Sequence, residues 1–258
     1  MEPFFSPAGD AALAQFLARR PLLAFDFDGT LAPIVSRPDD ARVPEALAAS
    51  LARLAGLAPV AIVTGRQIDD VRPRLGFTPT YVVGNHGAEG LPGAPSPDRV
   101  SPLVAARDRL AAHGEALRAA GVSTEDKGAS LALHYRRAPD HARARSAIDA
   151  AIAGIDGAVH VFGGKLVVNL VDATAPDKGV AMLRLVEHAG AGAAFFAGDD
   201  VNDESVFTIA PDGWLTVRIG HDAASQAHWV LDSQADVAPL LQRLIDGLGS
   251  VRQDENQT

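Results

Sequence analysis

Two carboxylates stand directly after a short apolar run, in the segment Asp26-Phe27-Asp28-Gly29-Thr30. The run, 21–25, is bounded by turn residues and predicts a buried parallel strand. Side chains two residues apart share one face of a strand, so Asp26 and Asp28 project together where it ends, and Gly29 permits a tight turn beside them. A fold tolerates two like charges this close when a cation or a titrating substrate is present. A simple polar turn is the alternative interpretation of the segment by itself.

The composition excludes several classes of protein. The 258 residues can bury a substantial core, in one large domain or two smaller ones. The formal net charge of −9, without a basic block, argues against a nucleic-acid or anionic-membrane partner. The lack of cysteine excludes disulfides, thiol catalysis and thiolate metal sites. The sequence shows no signal-like start and no apolar run of membrane-spanning length, so we expect a soluble, cytoplasmic monomer.

Strand-like apolar runs alternate with helix-like segments, which predicts an α/β fold with a parallel sheet covered by helices. A helix opened by Pro44 should bury Leu47, Leu51 and Leu54 on one face. The strands predicted for this sheet are 21–25, 58–63, 80–83, 193–197 and 214–219.

The rhythm changes between the third and fourth of these strands and predicts a smaller α+β unit. Its helix–hairpin–helix–hairpin pattern has helices at 101–120, with Ser101 as the N-cap, and at 140–152. The hairpins are 122–136, around Gly128, and 158–171, turning on Gly163-Gly164. We therefore predict a cap domain at 101–172 inserted into a core domain of 1–100 and 173–258. The predicted hinges are 92–97 and 173–176, and the polar tail from about 251 is predicted to be disordered.

A second acidic cluster follows the fourth predicted strand, in the segment 198–204. Ligands of open α/β sheets bind beyond the carboxyl ends of the strands, so both acidic clusters should line one crevice. Oxygen ligands without cysteine or paired histidines suit a hard divalent cation, Mg²⁺ first. Capping of the next helix is the alternative role for this cluster. The carboxylates expected to converge are Asp26, Asp28, Asp199, Asp200 and Asp203.

Two further features point to a phosphate group. Thr64-Gly65-Arg66 ends the second predicted strand, where a hydroxyl and backbone N–H groups can seat a phosphate, although Thr64 could instead cap the helix predicted at 67–75. The chain has only three lysines, Lys127, Lys165 and Lys178, each beside a glycine. Lys178 begins a helix, where a cation is unfavourable unless an anion is near, so it is the best candidate for contacting a phosphate.

These segments resemble, in order, the four motifs of haloacid-dehalogenase-like phosphatases, and within them the trehalose-6-phosphate phosphatases. The resemblance covers nearly the whole chain. The motifs that carry it are Asp-x-Asp-Gly-Thr-Leu-Ala-Pro-Ile at 26–34, Thr-Gly-Arg at 64–66, Gly-Asn-His-Gly-Ala at 84–88, Glu-x-Lys-Gly at 125–128, His-Tyr-Arg at 134–136, Lys178 and the Gly-Asp-Asp-x-x-Asp-Glu run at 198–204.

The resemblance implies a Rossmann-like core of haloacid-dehalogenase type and a Mg²⁺-dependent hydrolysis of trehalose 6-phosphate, the last step of trehalose biosynthesis. Asp26 would be the nucleophile that becomes an aspartyl phosphate, and Asp28 would act as general acid and base. Thr64 and Lys178 would hold the phosphate. The metal would lie on Asp26, the backbone carbonyl of Asp28, and Asp199, with Asp203 orienting the ligands. The residues that would face the substrate are Gly65, Arg66, His86, Glu125, Lys127 and Asn169.

Asn169 is a departure from this family, which normally has a glutamate at that position. An amide keeps an acceptor but loses the charge that would hold sugar hydroxyls. Sucrose phosphate or a glycosylglycerate phosphate is therefore an alternative substrate. A non-catalytic phosphosugar sensor and a phosphate-receiver domain are alternatives of other classes. His86 could face the sugar or pin its own loop, while His134 and Arg136 are expected to cover the cap sheet.

Overall fold

The structure is a computed structural model that describes residues 1–91, 102–155 and 157–255. The helices in these residues are α1 (Pro7–Leu17), α2 (Glu45–Ala55), α3 (Ile68–Val71), α4 (Leu103–Ala112), α5 (Gly114–Ala119), α6 (His141–Ile152), α7 (Lys178–Ala189), α8 (Glu204–Ile209) and α9 (Val237–Glu255). The strands are β1 (Glu2–Pro3), β2 (Leu22–Phe25), β3 (Val60–Val63), β4 (Tyr81–Val83), β5 (Ser123–Asp126), β6 (Ser130–His134), β7 (Val159–Gly164), β8 (Val167–Asp172), β9 (Ala194–Gly198), β10 (Leu215–Ile219) and β11 (Trp229–Leu231).

The chain divides into two compact units. We call the first, Met1–Pro92 with Pro176–Thr258, the core unit, and the second, Gly93–Ala175, the inserted unit. The predicted hinge at 92–97 and the predicted N-cap Ser101 lie outside the described residues. Among the described residues, no helix combines the length and the hydropathy that crossing a bilayer requires.

The core unit is built on a parallel sheet with the strand order β1-β11-β10-β9-β2-β3-β4. All residues of β2, β3 and β9 are buried, as expected for strands covered on both faces. The predicted α/β fold with a parallel sheet is confirmed. The sheet also gains β1 and β11 at one edge, and these short strands were not predicted because neither shows a long apolar run.

Helix α9 contacts both α1 and α2, and these two helices contact β10 and β3 of the sheet, respectively. The predicted face of α2 is confirmed, since Leu47, Leu51 and Leu54 are all buried. The prediction of a disordered tail is wrong for residues 251–255, because α9 continues through them to Glu255. The physical reason is an apolar stripe along α9 that joins the hydrophobic core and ends at Val251, which packs against that core.

The helix predicted at 67–75 is shorter in the structure. The α-helical part, α3, ends at Val71, and a single 3₁₀ turn, Arg72–Arg74, follows. Pro73 has no N–H to donate to the preceding turn, so the α-helical ladder stops there.

The inserted unit has its own antiparallel sheet, in the order β5-β6-β8-β7, and its own apolar core with α4, α5 and α6. The single helix predicted at 101–120 is instead two helices that meet at His113. Gly114, a poor helix former, lies at this break.

The turn of the second hairpin is also corrected. Gly163 and Gly164 belong to β7, and Gly164 pairs with Val167, so the turn consists of Lys165 and Leu166. Leu166 adopts the left-handed backbone conformation, with φ 61°. The two glycines favoured the wrong position because the pairing register, rather than turn preference, determines where this hairpin reverses.

Candidate active site

The two acidic clusters meet at the carboxyl ends of adjacent strands. Asp26 follows β2 and Asp199 follows β9, and these strands are neighbours in the parallel sheet. Carboxylate oxygens of Asp26, Asp199 and Asp203 lie within 4.8 Å of one another, and all three residues are buried. Acidic groups from distant parts of the sequence therefore share one small volume.

Lys178 lies between two of these carboxylates. Its Nζ donates to Asp26 Oδ1 at 2.6 Å and to Asp203 Oδ1 at 2.7 Å. The Lys178 residue is only 3% exposed. It is the first residue of α7, and Asp177 caps that helix by accepting from the backbone N–H of Val180. The anions that stabilise a cation at this helix start are thus Asp26 and Asp203.

Asp203 is a buried residue that holds the other members of the acidic cluster in place. It is fully buried, and its Oδ2 accepts the backbone N–H groups of Asp199 and Asp200, both at 2.9 Å. Oδ1 accepts from Lys178. Asp203 therefore fixes Lys178 and the chain at Asp199 in one arrangement. Asp200 accepts from the N–H of Val201 and caps the 3₁₀ helix Val201–Asp203, so capping and clustering coexist.

The charges of the cluster shift two pKa values. Burial raises the pKa of Asp26 well above its ordinary value, and the negative charges of Asp203 and Asp199 raise it further, while Lys178 opposes the shift. Burial alone would lower the pKa of Lys178, but Asp203 and Asp26 outweigh it and raise that pKa. Three carboxylates thus face one ammonium group, and this imbalance favours an added cation.

Two glycines leave room for the carboxylates. A Cβ on Gly29, which has φ +86°, would lie 2.1 Å from Asp199 Oδ2. A Cβ on Gly198 would lie 2.3 Å from Asp203 Cγ. The carboxylates thus form a compact set of hard oxygen donors, and a side chain at either glycine position would occupy the space that they need. This donor set suits a hard divalent cation such as Mg²⁺, and Asp26 and Asp199 are residues that would hold it.

Thr64 lies at the end of β3, the strand beside β2, and is buried. Its hydroxyl oxygen accepts from the backbone N–H of Arg66 at 3.2 Å, while its carbonyl accepts from the N–H of His86 at 3.0 Å. Gln67, not Thr64, is the N-cap of α3, and a Glu89 carboxylate oxygen accepts from the N–H of Ile68 in that first turn. The helix-capping interpretation of Thr64 is therefore wrong.

His86 packs against Gly65. Its backbone is left-handed, with φ 58°, and a Cβ on Gly65 would lie 2.3 Å from His86 Cε1. The adjoining Asn85 is also left-handed and donates through Nδ2 to Glu89 at 2.9 Å. The contacts of His86 therefore tie its loop to the end of β3.

Arg66 and Asp28 contact each other. Arg66 Nε donates to Asp28 Oδ2 at 2.7 Å, and Nη2 donates to Asp28 Oδ1 at 2.8 Å. The Asp28 side chain keeps 38% of its surface exposed, in contrast to the buried Asp26. The two aspartates of the first motif thus have different partners, Lys178 for Asp26 and Arg66 for Asp28.

Two of the predicted sugar-facing residues of the inserted unit, Glu125 and Asn169, share one face of its sheet. Glu125, Ala132, Asn169 and Phe162 are cross-strand partners in one row, whereas the adjacent row, with Leu133 and Val168, belongs to the apolar core.

The Glu125 carboxylate lies beside other polar side chains of the inserted unit. Its Oε2 lies 2.8 Å from His134 Nε2 and 3.9 Å from Lys127 Nζ. Asn169 is 3% exposed, and its Nδ2 has no hydrogen-bond partner among the described residues. A buried amide donor of this kind is suited to receive a polar ligand.

Comparison with known proteins identifies the family of this chain. Residues 24–234 match the model of the trehalose-phosphatase family. The chain belongs to that family.

Curated relatives include the trehalose-phosphate phosphatases of Mycolicibacterium paratuberculosis, 34% identical over 247 residues, and of Mycobacterium tuberculosis H37Rv, 31% identical over 242 residues. The matches cover 89% and 88% of this chain but only 63% and 62% of those relatives, so the chain spans less than two thirds of their length.

Solved structures share the trehalose-phosphatase fold. The C-terminal domain of the C. albicans trehalose-6-phosphate phosphatase superposes with a TM-score of 0.78 at 23% identity, covering 95% of this chain and 98% of that one. An Aspergillus fumigatus trehalose-6-phosphate phosphatase gives 0.63 at 24% identity, covering 95% and 99%. At these identities the likeness concerns the fold.

Sequence reasoning missed two residues of the core unit that hold predicted site residues in place. Asp70 accepts from Arg66 Nη1 at 2.8 Å, and Glu89 accepts from Asn85 Nδ2 and from the backbone N–H of Ile68 in α3. Asp70 is four residues after Arg66, a helical ion-pair spacing that the sequence does show. The contact of Glu89 with α3 joins segments that only the folded chain brings together.

Proposed function

We propose that this chain is a Mg²⁺-dependent phosphatase that hydrolyses trehalose 6-phosphate to trehalose and phosphate through an aspartyl-phosphate intermediate. The observation that carries the proposal is the contact of buried Asp26 with Lys178, inside a cluster that includes Asp199 and Asp203. The family match and the curated relatives support the substrate class. A cytoplasmic location and a monomeric state stay predictions from the sequence.

Asp26 is the proposed nucleophile. A carboxylate oxygen of Asp26 attacks phosphorus, the bond from phosphorus to the sugar oxygen breaks, and the phosphoryl group becomes attached to Asp26. Water then attacks the same phosphorus, the bond from phosphorus to the Asp26 oxygen breaks, and phosphate leaves as the carboxylate is regenerated. Lys178 offsets the negative charge that builds up around Asp26 as the phosphate dianion arrives.

Asp28 is the proposed proton carrier. As an acid it protonates the departing sugar oxygen, and as a base it accepts the proton of the attacking water. Its partial exposure supports this role, because a proton carrier must meet substrate and water in turn. The separate partners of Asp26 and Asp28 support different roles for two carboxylates of one motif.

The phosphate oxygens are proposed to bind Thr64 and Lys178. The Thr64 hydroxyl already accepts a backbone hydrogen bond, so its O–H hydrogen serves as the donor to phosphate. Bound Mg²⁺, held by Asp26, Asp199 and the carbonyl of Asp28 with Asp203 orienting the ligands, would offset the charge of the phosphate. Glu125, Lys127 and Asn169 are the proposed contacts of the sugar hydroxyls, and Gly65 and His86 are further residues proposed to face the substrate.

Phosphate release from trehalose 6-phosphate in the presence of Mg²⁺ tests the proposal. Wild-type protein should release phosphate, and Asp26→Asn should reduce release to background. Acid quenching during turnover should trap a phosphorylated wild-type protein and none of the variant. Asp232→Asn is the matched control, since that carboxylate is 85% exposed and pairs with His221. Undiminished turnover by Asp26→Asn would exclude Asp26 as the nucleophile.

A phosphatase acting on a different sugar phosphate is the second candidate, because Asn169 replaces the usual glutamate. A panel of sucrose phosphate, a glycosylglycerate phosphate and trehalose 6-phosphate separates the two. If kcat/KM is higher for another sugar phosphate, that compound is the substrate instead of trehalose 6-phosphate, and the proposed phosphatase mechanism is unchanged.

A further inference from the structure

The guanidinium of Arg66 is committed to protein acceptors. Nε and Nη2 donate to the two oxygens of Asp28, Nη1 donates to Asp70 Oδ2 at 2.8 Å, and Nη2 also donates to the carbonyl of Pro38 at 3.0 Å. Four of the five N–H groups of an arginine are thereby used. The sequence suggests a substrate contact for Arg66, but these bonds direct its charge to another side chain.

Further contacts fix the orientation of the Arg66 side chain. Its side chain is 11% exposed, and its Cζ lies 5.2 Å from the centroid of the Phe27 ring. Asp70, the acceptor on the far side, is fixed in turn by Arg74 through Nε and Nη2. These contacts give the planar guanidinium of Arg66 a defined orientation that does not depend on Asp28 alone.

The bond between Arg66 and Asp28 is bidentate and fixes both carboxylate oxygens. A single hydrogen bond would leave the carboxylate free to rotate, whereas two parallel bonds to a planar fork set its plane. The Asp28 side chain meanwhile remains 38% exposed. This combination suits a group that must deliver a proton to one defined atom.

We infer that Arg66 is a positioning residue for Asp28, holding that carboxyl group where it protonates the departing sugar oxygen. This inference rests on the proposed phosphatase function. The proton moves from the Asp28 carboxyl to the oxygen that leaves phosphorus, and Arg66 neither gives nor takes a proton. Its contribution is geometric, and misplacement of a catalytic group by about 1 Å can cost about 100-fold in rate.

Leaving-group dependence tests the inference, because a sugar oxygen needs a proton to depart and p-nitrophenolate does not. The quantity to compare is kcat/KM, which covers the steps up to departure of the leaving group. Lysine keeps the positive charge at position 66 but cannot donate two parallel hydrogen bonds to the Asp28 carboxylate. For Arg66→Lys we expect kcat/KM to fall about 100-fold for trehalose 6-phosphate, or the fastest sugar phosphate of the panel, and less than about threefold for p-nitrophenyl phosphate.

A second variant keeps both Arg66 and Asp28. Asp70→Asn loosens the anchor of Arg66, so it should show the same substrate-dependent loss at about 10-fold. Arg72→Lys is the matched control, since Arg72 is an exposed arginine of the same segment, and it should leave both substrates unchanged. Arg66→Lys in an Asp28→Asn background should cause no further loss for the sugar phosphate, because residues that act through one another are not additive.

Three outcomes would overturn the inference: equal losses on both substrates for Arg66→Lys and Asp70→Asn, faster sugar-phosphate turnover by Arg66→Lys, or full additivity with Asp28→Asn. Failure of the proposed function has a different signature, since wild-type protein would then hydrolyse no sugar phosphate. The circular dichroism of each variant, compared with wild type, identifies losses that come from unfolding. Asp70→Asn decides if Arg66→Lys is unfolded.

Discussion

Lys178 Nζ lies 2.6 Å from Asp26 Oδ1, although 152 positions separate the two residues in sequence, and both side chains are buried. The contact joins the carboxyl end of β2 to the first residue of α7. A buried ion pair of this kind is costly to break, because removing one partner leaves an uncompensated charge. The pair therefore links the stability of the core unit to the chemistry proposed for it.

Lys178→Met should remove the positive charge that offsets the carboxylates of Asp26 and Asp203. We expect phosphate release to fall by about 10²–10³-fold, the loss typical for removing one preorganised electrostatic partner. Without Mg²⁺ the free energy of unfolding should fall by about 3 kcal/mol in urea titrations. Arg184→Met removes an exposed cation from the same helix and should change neither quantity appreciably. A Lys178→Met protein with wild-type activity would contradict the electrostatic role.

Mg²⁺ should stabilise the folded protein, because Asp26 and Asp199 form a compact site only after folding. At a Mg²⁺ concentration 100 times the Kd, the stabilisation should be about 2.7 kcal/mol, measured as a rise in Tm. Asp199→Asn should lose most of this rise, while the exposed Asp232→Asn should retain it. An equal rise in both variants would place the ion elsewhere.

Gly29→Ala should inactivate the protein more than its backbone strain explains. The new Cβ would collide with the Asp199 carboxylate, and φ +86° is itself unfavourable for alanine. Gly220→Ala is a matched control, since Gly220 has φ +81° but no atom within 4 Å of its Cβ position. Both variants should lose about 1 kcal/mol of stability in urea titrations. Only Gly29→Ala should lose phosphate release and Mg²⁺ stabilisation, and equal losses would refute the steric argument.

Asn169→Ala should weaken sugar binding and spare the phosphate chemistry. The buried Nδ2 is a donor for a sugar hydroxyl, and loss of one neutral hydrogen bond costs about 0.5–1.5 kcal/mol, or about 2–12-fold in KM. KM for trehalose 6-phosphate should rise by that factor, whereas p-nitrophenyl phosphate should be unaffected. Val171→Ala, on the same face of β8, is the control. Unchanged KM would remove Asn169 from the sugar site.

Asp70 should contribute stability that depends on pH. Burial alone would raise its pKa, but hydrogen bonds from Arg74 and Arg66 outweigh burial and lower that pKa below its ordinary value. A carboxyl whose folded-state pKa is depressed stabilises the fold above its unfolded pKa and loses that effect as pH falls through the folded pKa. Asp70→Asn should therefore be less stable than wild type at pH 7, and the difference should shrink at pH 3 in urea titrations. A constant difference would contradict the linkage.

The sequence predicted the parts of this protein that depend on burial and local spacing. The apolar runs at β2, β3 and β9 identify strands covered on both faces, and Leu47, Leu51 and Leu54 identify a helix face, because burial requires those patterns. The acidic residues after β2 and β9 were expected to meet, since parallel strands end at one edge of a sheet.

Other features were decided by tertiary structure. Three features have no local signal in the sequence, because each depends on register or on packing between distant segments. They are the pairing of the Arg66 guanidinium with Asp28, the bond between His134 and Glu125, and the turn at Lys165-Leu166. The extension of α9 through Val251 follows from the core it packs against, which outweighs the polar composition of the tail. Local patterns report which residues must be buried, whereas only the folded chain determines which polar groups become partners.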